Sequence, residues 1–128
     1  MELSLLKTVA IIGLSDNPDR PSYEVGLYLK NQGFNIIPVN PMIEEVFGIK
    51  SYLSILDIPK TTQIDIVDIF RKPDQVIPII EEVVKSGRKP VIWMQEGVES
   101  PEAKAVAEKY GLEVVMDMCM MKAHKKSK

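Results

Sequence analysis

Four polar clusters in this sequence carry residue types suited to holding a phosphorylated ligand. The first is the Gly13-Leu14-Ser15 turn, which interrupts an apolar run from Val9 and leads through Asp16-Asn17-Pro18-Asp19 to Arg20-Pro21-Ser22. Gly13 permits a tight turn, Ser15 offers a hydroxyl donor, and Arg20 supplies a permanent positive charge. A helix starting after Pro21 turns its free N–H groups and the positive end of its dipole toward this loop. Ser22 is the expected N-cap, with Pro21 setting the entry angle. The spacing is not G-x-G-x-x-G, because no further glycines follow Gly13 at the required positions. The longer loop can wrap a bulkier phosphate group; the plainer alternative is a strand-to-helix turn with a solvated loop.

The second cluster is Asn40-Pro41, where an NAD-binding domain often has an acid for the ribose hydroxyls. Asparagine here argues against NAD, and a turn initiator is an equal alternative. The third is Phe70-Arg71-Lys72-Pro73, an apolar wall followed by further positive charge. The fourth is Gln95-Glu96-Gly97-Val98, in which Gln95 offers donor and acceptor and Gly97 allows close backbone approach. Outside these clusters, Lys50 is a further candidate for a phosphate contact. Asp68 sits inside an apolar run and needs a partner there, expected among the backbone groups of a neighbouring loop. A structural role for it is weighed above acid/base catalysis, since no second convergent group is evident. Cys119 is either a small apolar residue at the sheet edge or a thiol that approaches a ligand. His124, the single histidine, falls in a lysine-rich ending and is expected to be solvated. No metal site is expected, and the methionines from Met116 to Met121 are taken as packing.

The elements that must position these clusters alternate strand and helix. Strands are expected over residues 8–12, 34–39, 64–70, 89–94 and 112–116, and helices over 22–31, 74–86 and 101–110. Residues 42–59 read as a mixed stretch with a turn at Gly48, held down by Ile43, Val46, Phe47 and Ile49, and a short helical turn near Ser54. Short crossovers of this kind imply a Rossmann-like three-layer α/β/α sandwich with a five-stranded parallel sheet. The expected strand order is 3-2-1-4-5, with all four clusters on the sheet's carboxyl edge. The domain is expected over residues 1–119, followed by a disordered basic tail over 120–128.

With 128 residues, 45% hydrophobic and 27% charged, the composition suits one globular domain. A net charge of −2 argues against a nucleic-acid surface. No apolar run is long enough to span a membrane, and residues 1–7 are too short and acidic for a signal peptide. A single cysteine fits a reducing cytoplasm.

Taken in order, these pieces resemble a known family. Val9 to Ser15, Arg20-Pro21-Ser22-Tyr23, Pro38-Val39-Asn40-Pro41, Asp68 to Pro73, Trp93 to Gly97 and Met116-Asp117-Met118-Cys119 are similar to the small CoA-binding proteins of bacteria and archaea. That fold is shared with the N-terminal CoA-binding domain of the succinyl-CoA synthetase α-subunit and of NDP-forming acyl-CoA synthetases. The resemblance implies coenzyme A as ligand. Gly13, Ser15, Arg20 and Ser22 would surround its phosphates, with Leu14 in the same turn. Asn40 and Pro41 would border the adenosine end, Phe70, Arg71 and Lys72 the next part of the groove, and Gln95 and Gly97 the pantetheine. The chain departs from the family at Met42, where a basic residue is usual, at Met118, where arginine is usual, and in its basic rather than acidic ending. The phosphohistidine and ATP-grasp parts of the synthetases are absent from this sequence. The expected function is therefore binding of CoA or an acyl-CoA without turnover, as a carrier, sensor or partner subunit. The alternatives are a small NAD(P)-binding oxidoreductase and a CoA-linked thiol redox protein using Cys119.

Overall fold

β-Branched, nearly uninterrupted apolar runs form the central strands, as expected where both faces of a sheet are covered. The computed structural model describes residues 6–128, so the signal-peptide reading at the N-terminus falls largely outside it. The elements are β1 (Thr8–Ile12), α1 (Pro21–Asn31), β2 (Asn35–Val39), β3 (Glu45–Val46), β4 (Ile49–Lys50), β5 (Ile66–Ile69), α2 (Val76–Lys85), β6 (Val91–Met94), α3 (Pro101–Lys109), β7 (Val114–Val115) and α4 (Met120–Ser127). Short 3₁₀ turns occupy Ile55–Asp57 and Pro73–Gln75.

The Rossmann-like architecture is as expected, a five-stranded sheet in the order β2-β1-β5-β6-β7 with parallel pairing throughout. The expected strand order needs correction. Counting the five sheet strands along the chain, the order is 2-1-3-4-5, because β5 pairs with β1 and not with the outer side of β2. The outer edge of β2 is already occupied. Tyr52 bridges Val39 there, its N–H donating to the Pro38 carbonyl (3.0 Å) and its carbonyl accepting from the Asn40 N–H (2.9 Å). The chain after β2 thus folds into the β3–β4 hairpin and returns across the sheet to the free edge of β1. Phe47 and Gly48, with φ of 57° and 74°, make the two-residue turn of that hairpin.

Two apolar clusters cover the two faces. Val9, Ile11, Ile66 and Trp93 pack with Leu14, Val25 and Leu29 of the α1 side, and with Met120. Ala10, Ile12, Val67, Ile69 and Met94 pack with Val76, Ile80 and Val83 of α2 and with Ala103 and Ala107 of α3. α2 starts later than expected, after the Pro73–Gln75 turn. Pro78 is its third residue, where an N–H has no partner inside the helix, so it is accommodated. Asp65 sits at the entrance of β5, its Oδ2 accepting from the N–H groups of Lys7 (2.9 Å) and Thr8 (2.8 Å).

The expected tail over 120–128 is instead largely helix α4, packed on α1. Met120 is buried, and His124 is half-buried with its ring edge-on to Phe34 and Tyr28. His124 Nδ1 lies 2.7 Å from the Tyr28 hydroxyl. Met120, Met121, Ala123 and His124 make an inward stripe between the lysines.

Asp68 does not find the backbone partners expected of it. It is fully buried, and neither carboxyl oxygen has a hydrogen-bond partner. Ile11 and Trp93 flank it in register. Burial raises its pKa well above the ordinary carboxylate range, so the neutral acid is favoured.

Two predictions follow from these buried groups. The raised Asp68 pKa makes its contribution most favourable below the unfolded value near 3.9 and loses it as pH rises through the folded value. Asp68→Val removes an unsatisfied polar group from an apolar sheet and should raise denaturant stability at pH 7 by about 1–3 kcal/mol; a loss of stability would contradict this account. For His124, burial lowers the pKa, so its contribution is complete above about 6.5 and is lost as pH falls through the lowered folded value. Stability measured from pH 8 to 5 should fall in that direction, with a shallower fall in His124→Gln.

Candidate functional site

The turn after β1 is built around a close approach that excludes a side chain. Gly13 has φ +89°, and a Cβ there would lie 2.5 Å from the Phe70 carbonyl oxygen. Its N–H donates to the Val39 carbonyl at 2.8 Å, joining the ends of β1 and β2. β2 leaves β1 on one side and β5 on the other, so Gly13 and Phe70 mark the point where strand order reverses. Crevices at such points, outside the carboxyl ends of parallel strands, are where open α/β sheets bind ligands.

Asn40 locks the turn to β2. Its Nδ2 donates to the Leu14 carbonyl (3.0 Å), and its Oδ1 accepts from the Met42 N–H (2.9 Å). It is a turn residue and also borders the cleft. Ser22 is not the N-cap. Arg20 holds that position without a side-chain cap, Pro21 is the first helical residue, and the buried Ser22 Oγ accepts from the Ser15 N–H at 3.0 Å. Ser15 Oγ in turn accepts from the Asn17 N–H (3.0 Å). The N–H groups of Tyr23 and Glu24 both donate to the Arg20 carbonyl. The first turn of α1 therefore offers fewer free donors than the sequence suggested. Arg20 is exposed at the cleft rim, and Arg71 is half-buried with Nε 3.4 Å from where a Gly13 Cβ would stand. The guanidinium of Arg71 is thereby close to the turn itself.

The opposite wall comes from the end of β6 and the start of α4. Gln95 is buried, and its Oε1 accepts from the Met120 N–H at 3.3 Å. The Gly97 N–H donates to Asp117 Oδ1 (2.8 Å), with Asp117 at φ 57°. The Trp93 indole N–H donates to the Met118 carbonyl (2.7 Å). These bonds bring Cys119, Met121 and Lys122 to the cleft. Lys122 makes an exposed ion pair with Glu96 at 2.9 Å, and the hydrogen bond and charge of Glu96 raise its pKa above the ordinary lysine value.

The result is a cleft of about 900 Å³, at the upper end of the ~300–1,000 Å³ typical of small-molecule sites. It gathers Gly13, Ser15, Arg20, Ser22, Asn40, Phe70, Arg71, Lys72, Gln95 and Gly97 from the expected set. Leu14 is fully buried and contributes its carbonyl to Asn40. Pro41 lines a separate cavity of about 210 Å³ with Leu53, Gln75 and the other side of Arg71. Lys50 does not line the cleft; its ammonium lies 5.1 Å from the Tyr52 ring centroid. Glu24, Lys122 and Met121 line it without having been singled out as ligand candidates. Glu24 sits in the first turn of α1, where a phosphate-loop pattern gives no reason to look for an acid. Lys122 and Met121 were hidden by the tail reading. Among the described residues, no group of three His, Cys, Asp or Glu residues gathers to hold a metal, and no helix is long and apolar enough to cross a membrane.

Comparison with known proteins adds an independent line. The profile of the CoA binding domain matches residues 7–125. The chain is 40% identical over 118 residues to the uncharacterized protein YneT of Bacillus subtilis, covering 92% of this chain and 85% of that one. It is 32% identical over 122 residues to subunit alpha of an ADP-forming acetate–CoA ligase II of Pyrococcus furiosus, covering 88% of this chain and 26% of the subunit. The chain thus spans about a quarter of that ligase subunit. The solved structure of ID.343 from Thermus thermophilus superposes with a TM-score of 0.92 at 35% identity, over 99% of this chain and 94% of that one.

The Gly13 geometry yields a direct test. Gly13→Ala places a methyl group against the Phe70 backbone at a positive φ. It should cost about 2–4 kcal/mol of stability by chemical denaturation, and a neutral result would show that β1 and β5 loops can separate freely.

Proposed function

The chain belongs to the CoA-binding domain family, and from that premise we propose that its cleft binds coenzyme A or an acyl-CoA as a non-catalytic carrier, sensor or partner subunit. The observation that carries the reading is a cleft of about 900 Å³ lined by Arg20, Arg71 and Lys72 together with the Gly13 turn, which Arg71 approaches directly. CoA is long and carries a pyrophosphate and a 3′-phosphate, which suit cations that can each take two phosphate oxygens. The pyrophosphate lies against Gly13, Ser15 and Ser22, between the two arginines. The adenosine end runs toward Asn40, which acts by holding the turn, while Pro41 stands outside the cleft lining. Pantetheine follows Phe70 to Gln95 and Gly97, its thiol end nearest Cys119. Lys72 adds charge on the phosphate side. His124 is engaged by Tyr28 and does not line the cleft. A single buried free thiol suits work in the cytoplasm.

Calorimetric titration with CoA, dephospho-CoA and NAD tests the reading. CoA should bind more tightly than dephospho-CoA, and NAD should show no comparable heat. Arg20→Ala and Arg71→Ala should each weaken CoA binding by about 1.5–3 kcal/mol, the range for hydrogen bonds to charged groups. NAD binding with no CoA signal would overturn the proposal.

A further inference from the structure

Asp68 is the buried group that neither the fold nor the cleft lining explains. It occupies the central strand β5 on the same face as Ile66, with Ile11 and Trp93 beside it in register. The ladder continues beyond the strands: the Phe70 N–H donates to the Ile12 carbonyl (2.9 Å) and the Gln95 N–H to the Ile69 carbonyl (3.3 Å). The next rung on that face is therefore Gly13, Phe70 and Gln95, all three lining the cleft. Two residues along a strand rise about 6–7 Å, so Asp68 lies one same-face step along β5 from the rung that lines the cleft.

We propose that Asp68 couples proton uptake to ligand binding in the cleft, so that the protein holds its anionic ligand more tightly when this carboxyl is neutral. The inference rests on the CoA reading and names a regulation of that site. On its other sides Asp68 is enclosed by the apolar cluster of β1, β6, α1 and the start of α4. An ionised carboxylate needs hydrogen-bond donors, and no protein group supplies one. The rung above it, Gly13, Phe70 and Gln95, lines the solvent-open cleft. A ligand seated on Gly13, Phe70 and Gln95 excludes solvent from that rung and brings phosphate charge above it. Both effects disfavour the carboxylate, and burial already does so in the empty protein. By linkage, whatever raises the proton affinity of Asp68 on binding must make binding weaken as pH rises through its titration.

The other ionisable groups around it are identifiable. β1 and β6 present none at Val9, Ile11, Val91 or Trp93, and the β3–β4 hairpin presents apolar side chains. α1 contributes the half-buried phenols of Tyr23 and Tyr28, with Glu24 at the cleft rim. The α4 side contributes Cys119, His124 and Lys122, and the cleft above holds Arg20, Arg71, Lys72 and Glu96. Of these, the Cys119 thiol is buried on the same face, and so it requires its own control.

The test is calorimetry of CoA binding across pH, in buffers of different ionisation enthalpy, on wild type, Asp68→Asn and Cys119→Ser. Protons titrating on CoA itself are common to all three and cancel in the differences. Wild type and Cys119→Ser should take up as much as one extra proton per CoA relative to Asp68→Asn. Their Kd should rise by up to tenfold per pH unit more than that of Asp68→Asn, the limit for one coupled proton. Carboxyl-carbon NMR of wild type, with and without CoA, gives a second reading that needs no variant: the Asp68 resonance should keep its protonated shift to higher pH when CoA is bound. CoA binding with the same slope in wild type and Asp68→Asn, or an Asp68 titration unmoved by CoA, overturns the coupling and leaves the CoA reading standing. No CoA binding at any pH overturns both.

Discussion

The contact between the Gly13 turn and the Phe70 carbonyl is the constraint on which the site depends. β1 is buried on both faces, so it needs a neighbour at each edge, and β2 and β5 supply them. Their chains leave in different directions, and the gap between them opens where β1 and β5 end. A residue with a Cβ at position 13 would force that gap wider by meeting backbone that cannot rotate away. With glycine there, the Arg71 side chain reaches the turn from the end of β5, while Arg20 lines the same cleft from the start of α1. The positive charge at the cleft thus follows from strand adjacency.

Much of this was legible in the sequence because it depends on local pattern. Apolar runs of β-branched residues announced the strands, and glycine or proline after the first four announced the loops. Since parallel strands point their carboxyl ends the same way, the Gly13, Asn40, Phe70 and Gln95 loops had to share an edge. Strand order was not legible, because periodicity says which face a residue takes and nothing about which edge a strand joins. Tyr52 decided that point by occupying the outside of β2, a role that a lone tyrosine in a mixed stretch does not advertise. Ser22 illustrates another limit. Serine after proline fits an N-cap pattern, but the helix begins one residue earlier and the hydroxyl serves the Ser15 N–H.

Helix α4 was missed for a physical reason. Its three lysines equal its apolar residues in number, so composition favours a solvated segment, and its inward stripe is short. What secures it lies at a distance: Trp93, Gln95 and Gly97 tie its lead-in to the end of β6, while Tyr28 and Phe34 receive His124. Each is a tertiary partner that no window of neighbouring residues reveals. The consequence for the site is substantial, because the same segment supplies Cys119, Met121 and Lys122 as one wall of the cleft. Bonds to Gln95 and Gly97 join that wall to the loop expected to carry the pantetheine end.

Asp68, beneath the cleft floor, and the Lys122–Glu96 pair, at the cleft surface, are opposite electrostatic extremes. The ion pair is exposed, with side-chain exposures of 64% and 57%, and solvent screens it, so it can exchange partners at little cost. Asp68 has no solvent and no partner, so its charge state is governed by whatever changes its surroundings. A flexible surface cation can adjust to a bound phosphate by moving. A buried carboxyl in the central strand can adjust only by keeping or releasing its proton. This difference makes the buried centre of the sheet, rather than its exposed rim, the place where we propose that occupancy of the cleft is converted into a change of protonation.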